Sequence, residues 1–353
     1  MDIKIFAKTI EESAKVQIEE LASCPAYVDS KIRIMPDCHA GSGCTIGTTM
    51  TITDKITPNL VGVDIGCGML AVGLGECNLD LVKIDKIIRK YIPHGFAVHQ
   101  QERGYFEFDN LICKDGLNLD RAQKSLGTLG GGNHFIEISE SENGYKYLII
   151  HSGSRNIGNQ VARFYQDIAI ENKNSENKDL AYLEGSDMTN YLNDMRIMQQ
   201  YATANRKMIA YIILEMAGLK KTSEFETIHN YIDFEKMILR KGAVSAEKDE
   251  LLLIPINMRD GSLLCAGKGN EDWNYSAPHG AGRLMGRKEA KRKLDLSAFE
   301  IQMKGVYTTS VCEDTLDEAP DAYKPMSEIV EAIKDTADII KILKPIYNFK
   351  SSN

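Results

Sequence analysis

The run KIRIMPDCHAGSGCTIGTTMTITDKITPNLVGVDIGCGMLAVGL (31–74) alternates short apolar, β-branched stretches with glycine-rich breaks. KIRIMPD, CTIGTTMTIT, LVGVDIG and MLAVGLG read as strands, with TPN (57–59) as a turn, so the first part of the chain is expected to be sheet. Outward from it, Leu81, Ile84, Ile87 and Ile88 recur at helical spacing before a break at 93–95. Strands are expected again near 132–138, 146–151, 251–257 and 261–266, and helices over 280–293 and 326–344. The segment 158–217 reads as helical, with the polar stretch ENKNSENKD (171–179) as a loop and Gly218 as its end. Its stripe of Met195, Met198, Ala202, Met208, Ile209, Ile212 and Ile213 is what core packing alone requires. The alternation lacks the regular period of a doubly wound sheet, and GTLGGGNH does not keep the dinucleotide-binding glycine register. The expectation is one α/β (α+β) domain spanning 1–353, of mixed sheets surrounded by helices, with a helical insertion at about 158–218.

Composition narrows the function classes. A chain of 353 residues with 43% hydrophobic content can bury a substantial core. It contains no apolar run near the roughly 20 residues a membrane helix needs, and the charged N-terminus MDIKIFAKTIEESAK lacks a signal-peptide core, so a cytoplasmic location is expected. The eight cysteines show no paired spacing and read as small core residues in a reducing compartment. A formal charge of −8 argues against wholesale nonspecific nucleic-acid binding. Arg283, Arg287, Lys288, Lys291, Arg292 and Lys293 nevertheless concentrate positive charge locally, as a basic groove or as a solvated helix face.

Four blocks carry the chemistry: VGVDIGCGM (61–69), GTLGGGNHFIEI (127–138), IIHSGSRNIG (149–158) and APHGAGRLMGRKEAKR (277–292). Asp64 and Cys67, separated by two residues in a glycine-punctuated turn, can face one ion, although a structural cysteine would look the same in isolation. Five of the seven histidines, at 39, 134, 151, 229 and 279, sit in polar or glycine-flanked signatures, which points to a metal and catalytic cluster; His94 and His99 do not. One thiolate with several imidazoles suits zinc, manganese or iron, and ligand type does not choose among them. The glycines of GTLGGG and HGAGR can offer backbone N–H groups to phosphate or simply make tight turns, and a helix opening near Gly280 would add its positive end. His279 beside Arg283 can attack a phosphorus atom as a neutral imidazole, and no Walker lysine motif is present.

Taken in order, MPDCHAGSGCTIG, VGVDIGCGM, SLGTLGGGNHFIEI, IIHSGSRNIGNQVA, IHNYIDFE, LRKGAV, PHGAGRLMGRKEAKR, EAPDAYKPMSEIVEAI and LKPIYNFK resemble the RtcB family of GTP- and manganese-dependent RNA ligases over nearly the whole chain. The resemblance implies that His279 forms a histidine–GMP adduct, that the guanylate passes to an RNA 3′-phosphate, and that a 5′-hydroxyl end displaces GMP. A 2′,3′-cyclic phosphate is opened first. It further implies two manganese ions, one held by Asp64, Cys67 and His134 and the other by Cys67, His151 and His229. Guanylate contacts would fall on Asn133, Glu137, Asn230, Ser262, Tyr323 and Lys350 and on the backbone of Gly280, Ala281 and Gly282. Candidates for holding RNA ends are Asp37, His39, Arg155, Arg283 and Arg287. RNA and GTP are the implied partners, together with an activating protein such as archease. The alternatives are a catalytically weak RNA-end-binding protein and a metal-dependent RNA-end phosphodiesterase. IPINMRDGSLL (254–264) departs from the family's small-residue run at Asn257, Arg259 and Asp260, and Ala40 and Ser42 stand where aromatics are usual, which marks a divergent paralogue.

Overall fold

In the computed structural model, which describes residues 2–351, the strands in chain order are β1 (Asp2–Ile5), β2 (Lys31–His39), β3 (Ile46–Thr51), β4 (Lys55–Ile56) and β5 (Gly68–Gly75). β6 (Phe135–Glu140), β7 (Lys146–Ser152), β8 (Leu183–Glu184), β9 (Ser223–Ile228), β10 (Asn230–Asp233) and β11 (Ile238–Lys241) follow. The last six are β12 (Ala243–Ser245), β13 (Leu251–Asn257), β14 (Gly261–Gly267), β15 (Ser276–Pro278), β16 (Tyr307–Thr308) and β17 (Ala337–Lys350). The helices are α1 (Glu12–Ala22), α2 (Leu81–Tyr91), α3 (Leu119–Ser125), α4 (Arg155–Glu171), α5 (Gly185–Ala217), α6 (Arg287–Lys293), α7 (Leu296–Gln302) and α8 (Met326–Ala332).

Two sheets dominate this mixed α/β fold: one ordered β1-β2-β3-β11-β10, the other β13-β14-β17-β6-β7-β5-β9 with β16 beside β17. Side-chain alternation along the larger sheet separates packing from chemistry, because successive residues of a strand point to opposite faces. Leu70 and Val72 of β5, Ile136 and Ile138 of β6, Leu148 and Ile150 of β7, and Tyr347 and Phe349 of β17 form one apolar cluster. Ile84 and Ile88 of α2 and Ile209 and Ile213 of α5 close over it. Each such side chain contributes roughly 1.5–3 kcal/mol on burial, which holds that face to the helices. The intervening residues, among them Glu137, His151, Asn348 and Lys350, face the other way and are buried too. A second core joins the first sheet to α4 and the first half of α5 through Ile32, Ile34, Val161, Tyr165, Met195 and Met198.

Three local expectations differ from what the chain does. LVGVDIG is not a strand: Pro58 opens a 3₁₀ turn, and Gly62 (φ 96°) and Gly66 (φ 67°) coil the segment into a ligand loop. Residues 280–286 are not helical, and α6 begins only at Arg287. Gly282 takes φ 75°, and a Cβ there would lie 2.6 Å from the Asp37 carbonyl oxygen, so the turn needs glycine on both counts. The expected helix at 326–344 stops at Ala332, and the β-branched run after Ala337 enters the large sheet as β17, with a bulge near Pro345, which has no N–H to donate. The 158–217 segment is two helices, α4 and α5, the latter ended by Gly218 at φ 71°. None of the helices described is long and apolar enough to cross a membrane.

Candidate functional site

Four neighbouring strand ends of the large sheet converge on one point. Cys67 immediately precedes β5, His134 precedes β6, His151 lies in β7 opposite Phe135 and Met69, and His229 follows β9. The His229 N–H donates to the Cys67 carbonyl at 2.9 Å, which ties the β5 and β9 ends together. The donor atoms meet: Cys67 Sγ lies 3.3 Å from His134 Nε2 and 3.3 Å from His151 Nε2. His151 Nε2 lies 3.3 Å from His229 Nε2, and His134 Nε2 lies 3.0 Å from Asp64 Oδ2. Separations of this size are the edges of coordination polyhedra with bonds of about 2.0–2.3 Å. The opposite ring nitrogen of His151 faces the Asn133 carbonyl (3.2 Å), an arrangement that leaves its Nε2 lone pair for an ion, while Nδ1 of His134 faces the Leu129 carbonyl (3.0 Å).

Electrostatics agree with a cation-binding role. Burial and then the neighbouring histidines hold His151 and His229 well below the usual imidazole range, so both rings are neutral donors. Burial raises the Asp64 carboxyl, but the His134 hydrogen bond and the nearby Arg155 outweigh it and bring the carboxyl down to about 2. Burial, and then Asp64, push the Cys67 thiol well up, so this sulfur carries its charge only with a cation beside it. The donor set of one thiolate, one carboxylate and three imidazoles fits borderline divalent ions.

All five histidines of the expected cluster come together. Ring centroids run from His134 to His151 at 5.2 Å, to His229 at 5.0 Å, to His279 at 5.0 Å and to His39 at 6.5 Å. His279 arrives from the opposite side, directly after β15. Asp37, on β2 of the first sheet, is fully buried against it, with Oδ2 2.6 Å from His279 Nδ1. The approach is short but out of line with the ring N–H, so it is a close polar contact rather than a well-aligned hydrogen bond. The same oxygen accepts the backbone N–H groups of His279 (3.1 Å) and Gly280 (3.2 Å). Two backbone donors of the HGAGR turn are therefore already engaged by Asp37, and no helix dipole stands behind them.

A cleft of about 370 Å³ lies between the sheets, in the size range of nucleotide-scale ligand sites. Asn133, Glu137, Asn230, Ser262, Gly280, Ala281, Gly282, Tyr323 and Lys350 all line it, as do His39, Arg283 and Arg287. Asn230 already donates to the Asp64 carbonyl (3.3 Å) and accepts from Gly242 N (2.9 Å), so it braces the ligand loop. Arg155 sits behind His134, with Nη1 3.1 Å from its Nδ1, and takes φ 58° at the start of α4. Arg287 pairs with Asp317 (2.8 Å) and Glu318 (3.0 Å). The divergent Asn257–Asp260 segment closes its own β13–β14 turn: Asn257 Oδ1 accepts from Arg259 N (3.0 Å) and Asp260 N (2.8 Å), and of the three departing residues only Asn257 lines the cleft.

Sequence reading passed over several side chains that build this site. Lys241 is buried in the cleft wall, donating to the carbonyls of Ser42 (2.7 Å) and Asn59 (2.9 Å). Asn205 and Arg206, hidden inside the apolar stripe of α5, brace the ligand loops from behind. Arg206 Nη1 donates to the carbonyls of Gly66 and Ser152, both at 2.7 Å, and its Nε to Glu226. Their signal was a polar pair at positions where the stripe called for apolar residues.

The family model described as tRNA-splicing ligase RtcB matches residues 17–115 and 98–351. The chain is 31% identical to "RNA-splicing ligase RtcB1" of Escherichia coli strain ATCC 25922 and 30% identical to "RNA-splicing ligase RtcB" of strain K12, in each case over 98% of this chain and 96% of the relative. It is 25% identical to "tRNA-splicing ligase RtcB" of Nanoarchaeum equitans, over 97% of the chain and 92% of that protein.

Proposed function

The chain belongs to the RtcB family of RNA ligases, and from that premise we propose that it joins RNA 3′-phosphate or 2′,3′-cyclic phosphate ends to 5′-hydroxyl ends with GTP and manganese. The observation that carries the proposal is the seating of His279: one ring nitrogen against Asp37 at 2.6 Å, the ring 5.0 Å from that of His229, at the edge of a nucleotide-sized cleft.

The chemistry follows from these residues. His279 Nε2 forms a P–N bond to the α-phosphorus of GTP as the anhydride to the β-phosphate breaks and pyrophosphate leaves. Asp37 holds the Nδ1 side, keeping its proton there and stabilising the positive charge the ring gains. An RNA 3′-phosphate oxygen then displaces the imidazole, and the 5′-hydroxyl oxygen attacks the activated phosphate with GMP as the leaving group. Asp64, Cys67 and His134 would hold one manganese and Cys67, His151 and His229 another, and these ions when bound neutralise charge on the phosphate oxygens. Glu137 and Lys350 offer an acceptor and a donor to the edge of guanine, with Ser262 and Tyr323 beside them. His39 lines the same cleft beside His279 and is the candidate for holding RNA ends, with Arg283 and Arg287, both paired with Glu318, also in the lining.

The test is intact-protein mass after incubation with GTP and Mn²⁺, with GTP alone, and with ATP and Mn²⁺. The expected result is a manganese-dependent GMP adduct on His279, absent from His279→Ala and discharged by RNA bearing a 3′-phosphate. An adduct that survives in His279→Ala would remove the assigned nucleophile. Hydrolysis of cyclic phosphate ends without any adduct would favour a phosphodiesterase.

A further inference from the structure

The base end of the cleft holds two buried carboxylates in opposite circumstances. Glu137 is held only by neutral donors, Ser139 Oγ at 2.6 Å and Asn348 Nδ2 at 2.9 Å. Glu318, on the 3₁₀ turn Glu313–Glu318, is only 3% exposed and sits at the meeting point of charged groups. Lys350 Nζ contacts its Oε2, Tyr323 OH donates to the same oxygen at 2.7 Å, and Arg287 and Arg283 reach Oε1 at 3.0 and 3.4 Å.

Strand register makes this division informative. On β17 and β6, Asn348 is paired with Glu137 and Lys350 with Phe135, so Lys350 and Glu137 are diagonal neighbours on one face of the sheet. Diagonal neighbours are within reach of a long side chain, and a lysine beside a buried carboxylate would ordinarily close an ion pair with it. Here the ammonium turns to Glu318 instead, and burial leaves the Glu137 carboxyl raised to about 7 while Glu318 is held down to about 2. The acceptor and the donor at the base end are thus kept from neutralising each other.

We propose that Glu318 is a positioning residue that sets nucleobase specificity: by holding Lys350 away from Glu137 it preserves a separate acceptor and donor complementary to guanine. Guanine presents N1–H and N2–H donors beside its O6 acceptor, whereas adenine reverses the pattern at the corresponding edge. A Lys350–Glu137 pair would fill the same space yet offer neither group. The inference rests on the guanylate reading of the cleft given above.

The experiment is calorimetric titration of the full chain with GMP and with AMP, which bind without reacting. The wild-type protein is expected to prefer GMP. Glu318→Gln is expected to lower GMP affinity about tenfold, the effect of one charged hydrogen bond, and to bring the GMP-to-AMP ratio close to one. Glu318→Asp, which keeps the charge, is expected to retain part of the preference and stands in where Glu318→Gln does not fold. In a Lys350→Met background the Glu318→Gln change should leave the ratio where Lys350→Met put it. Equal losses for GMP and AMP, with the ratio retained, would show a merely structural carboxylate and overturn the proposal. A wild-type chain with no GMP preference would overturn the guanylate reading itself, and this proposal with it.

Discussion

Asp37 and Glu137 are buried carboxylates on the two different sheets that meet at the cleft, and their partners give them different work. Asp37 accepts two backbone N–H groups and faces His279, so Asp37→Asn keeps an acceptor for the turn while removing the charge that favours a cationic ring. Its rate of GMP adduct formation is expected to fall about a hundredfold or more, with little change in melting temperature. An unchanged adduct rate in a stopped time course would remove Asp37 from the proposed mechanism. Glu137 supplies a pH dependence instead. Burial raises its carboxyl from 4.5 to about 7, so between these values the folded chain holds a proton that the unfolded chain has released. Stability therefore falls as pH rises through that window, by up to about 3 kcal/mol for this group, and is recovered below it. Glu137→Gln is expected to flatten that part of the stability profile in denaturant melts. In the same range GMP affinity should rise with pH, because the ionised carboxylate is the better acceptor for guanine; affinity that is flat or falls from pH 5.5 to 8 would contradict the assignment.

α5 is the element through which packing reaches the metal ligands. Its apolar residues fill two cores, and Asn205 on its inner face accepts from Gly127 N (2.8 Å) and Thr128 N (3.1 Å) while donating to Thr128 O, Ser152 Oγ and Gly153 O. Asn205→Ala leaves the buried Gly127 N–H without a partner and Thr128 N–H with only its 3.2 Å bond to the Ser125 carbonyl, and is expected to cost about 2 kcal/mol in denaturant unfolding. It should also weaken manganese binding although it touches no ligand, because Ser152 and Gly153 directly follow His151; a variant with full manganese affinity by direct titration would confine α5 to packing. Such residues explain what the sequence left unread. Local signals were enough for α2, whose isoleucines repeat at helical spacing behind an Asp80 cap, and for the β13–β14 hairpin, with apolar runs either side of a polar turn. The ligand-bearing glycine blocks were legible too, since few other residue types pack donors so closely. β17 was not, because ADIIKILKPIYNFK carries helix-compatible spacing and becomes a strand only when β14 and β6 pair with it on either side. Glu318 escaped for a related reason, and Asp37, expected among the residues holding RNA ends, was not read as the partner of His279: their partners lie 32 and 242 residues away in sequence, and nothing local marks a carboxylate that will be buried against them.

At the scale of the whole molecule, the site is a joint between two sheets. The first supplies Asp37 from β2, the second supplies the cysteine and histidine donors, and His279 follows the short β12–β15 pair. Each sheet has its own apolar core, and the seam between them mixes apolar side chains such as Ile46, Val61 and Phe135 with the ligand cluster, so ions bound there act on global stability as well as on chemistry. A ligand that binds only the folded chain stabilises it by about 2.7 kcal/mol at a hundredfold excess over its dissociation constant. Manganese is therefore expected to raise the melting temperature by a few degrees, and chelator to reverse the shift. Cys67 touches His134 of one proposed ligand set and His151 of the other, so Cys67→Ala should abolish the shift altogether rather than halve it, and elemental analysis of that variant should find neither ion. His229→Ala removes a donor from one side only and is expected to leave one ion and part of the shift. If Cys67→Ala instead retained one ion and half of the stabilisation, the sulfur would belong to a single metal, and the two halves of the cluster would have to be treated as independent sites.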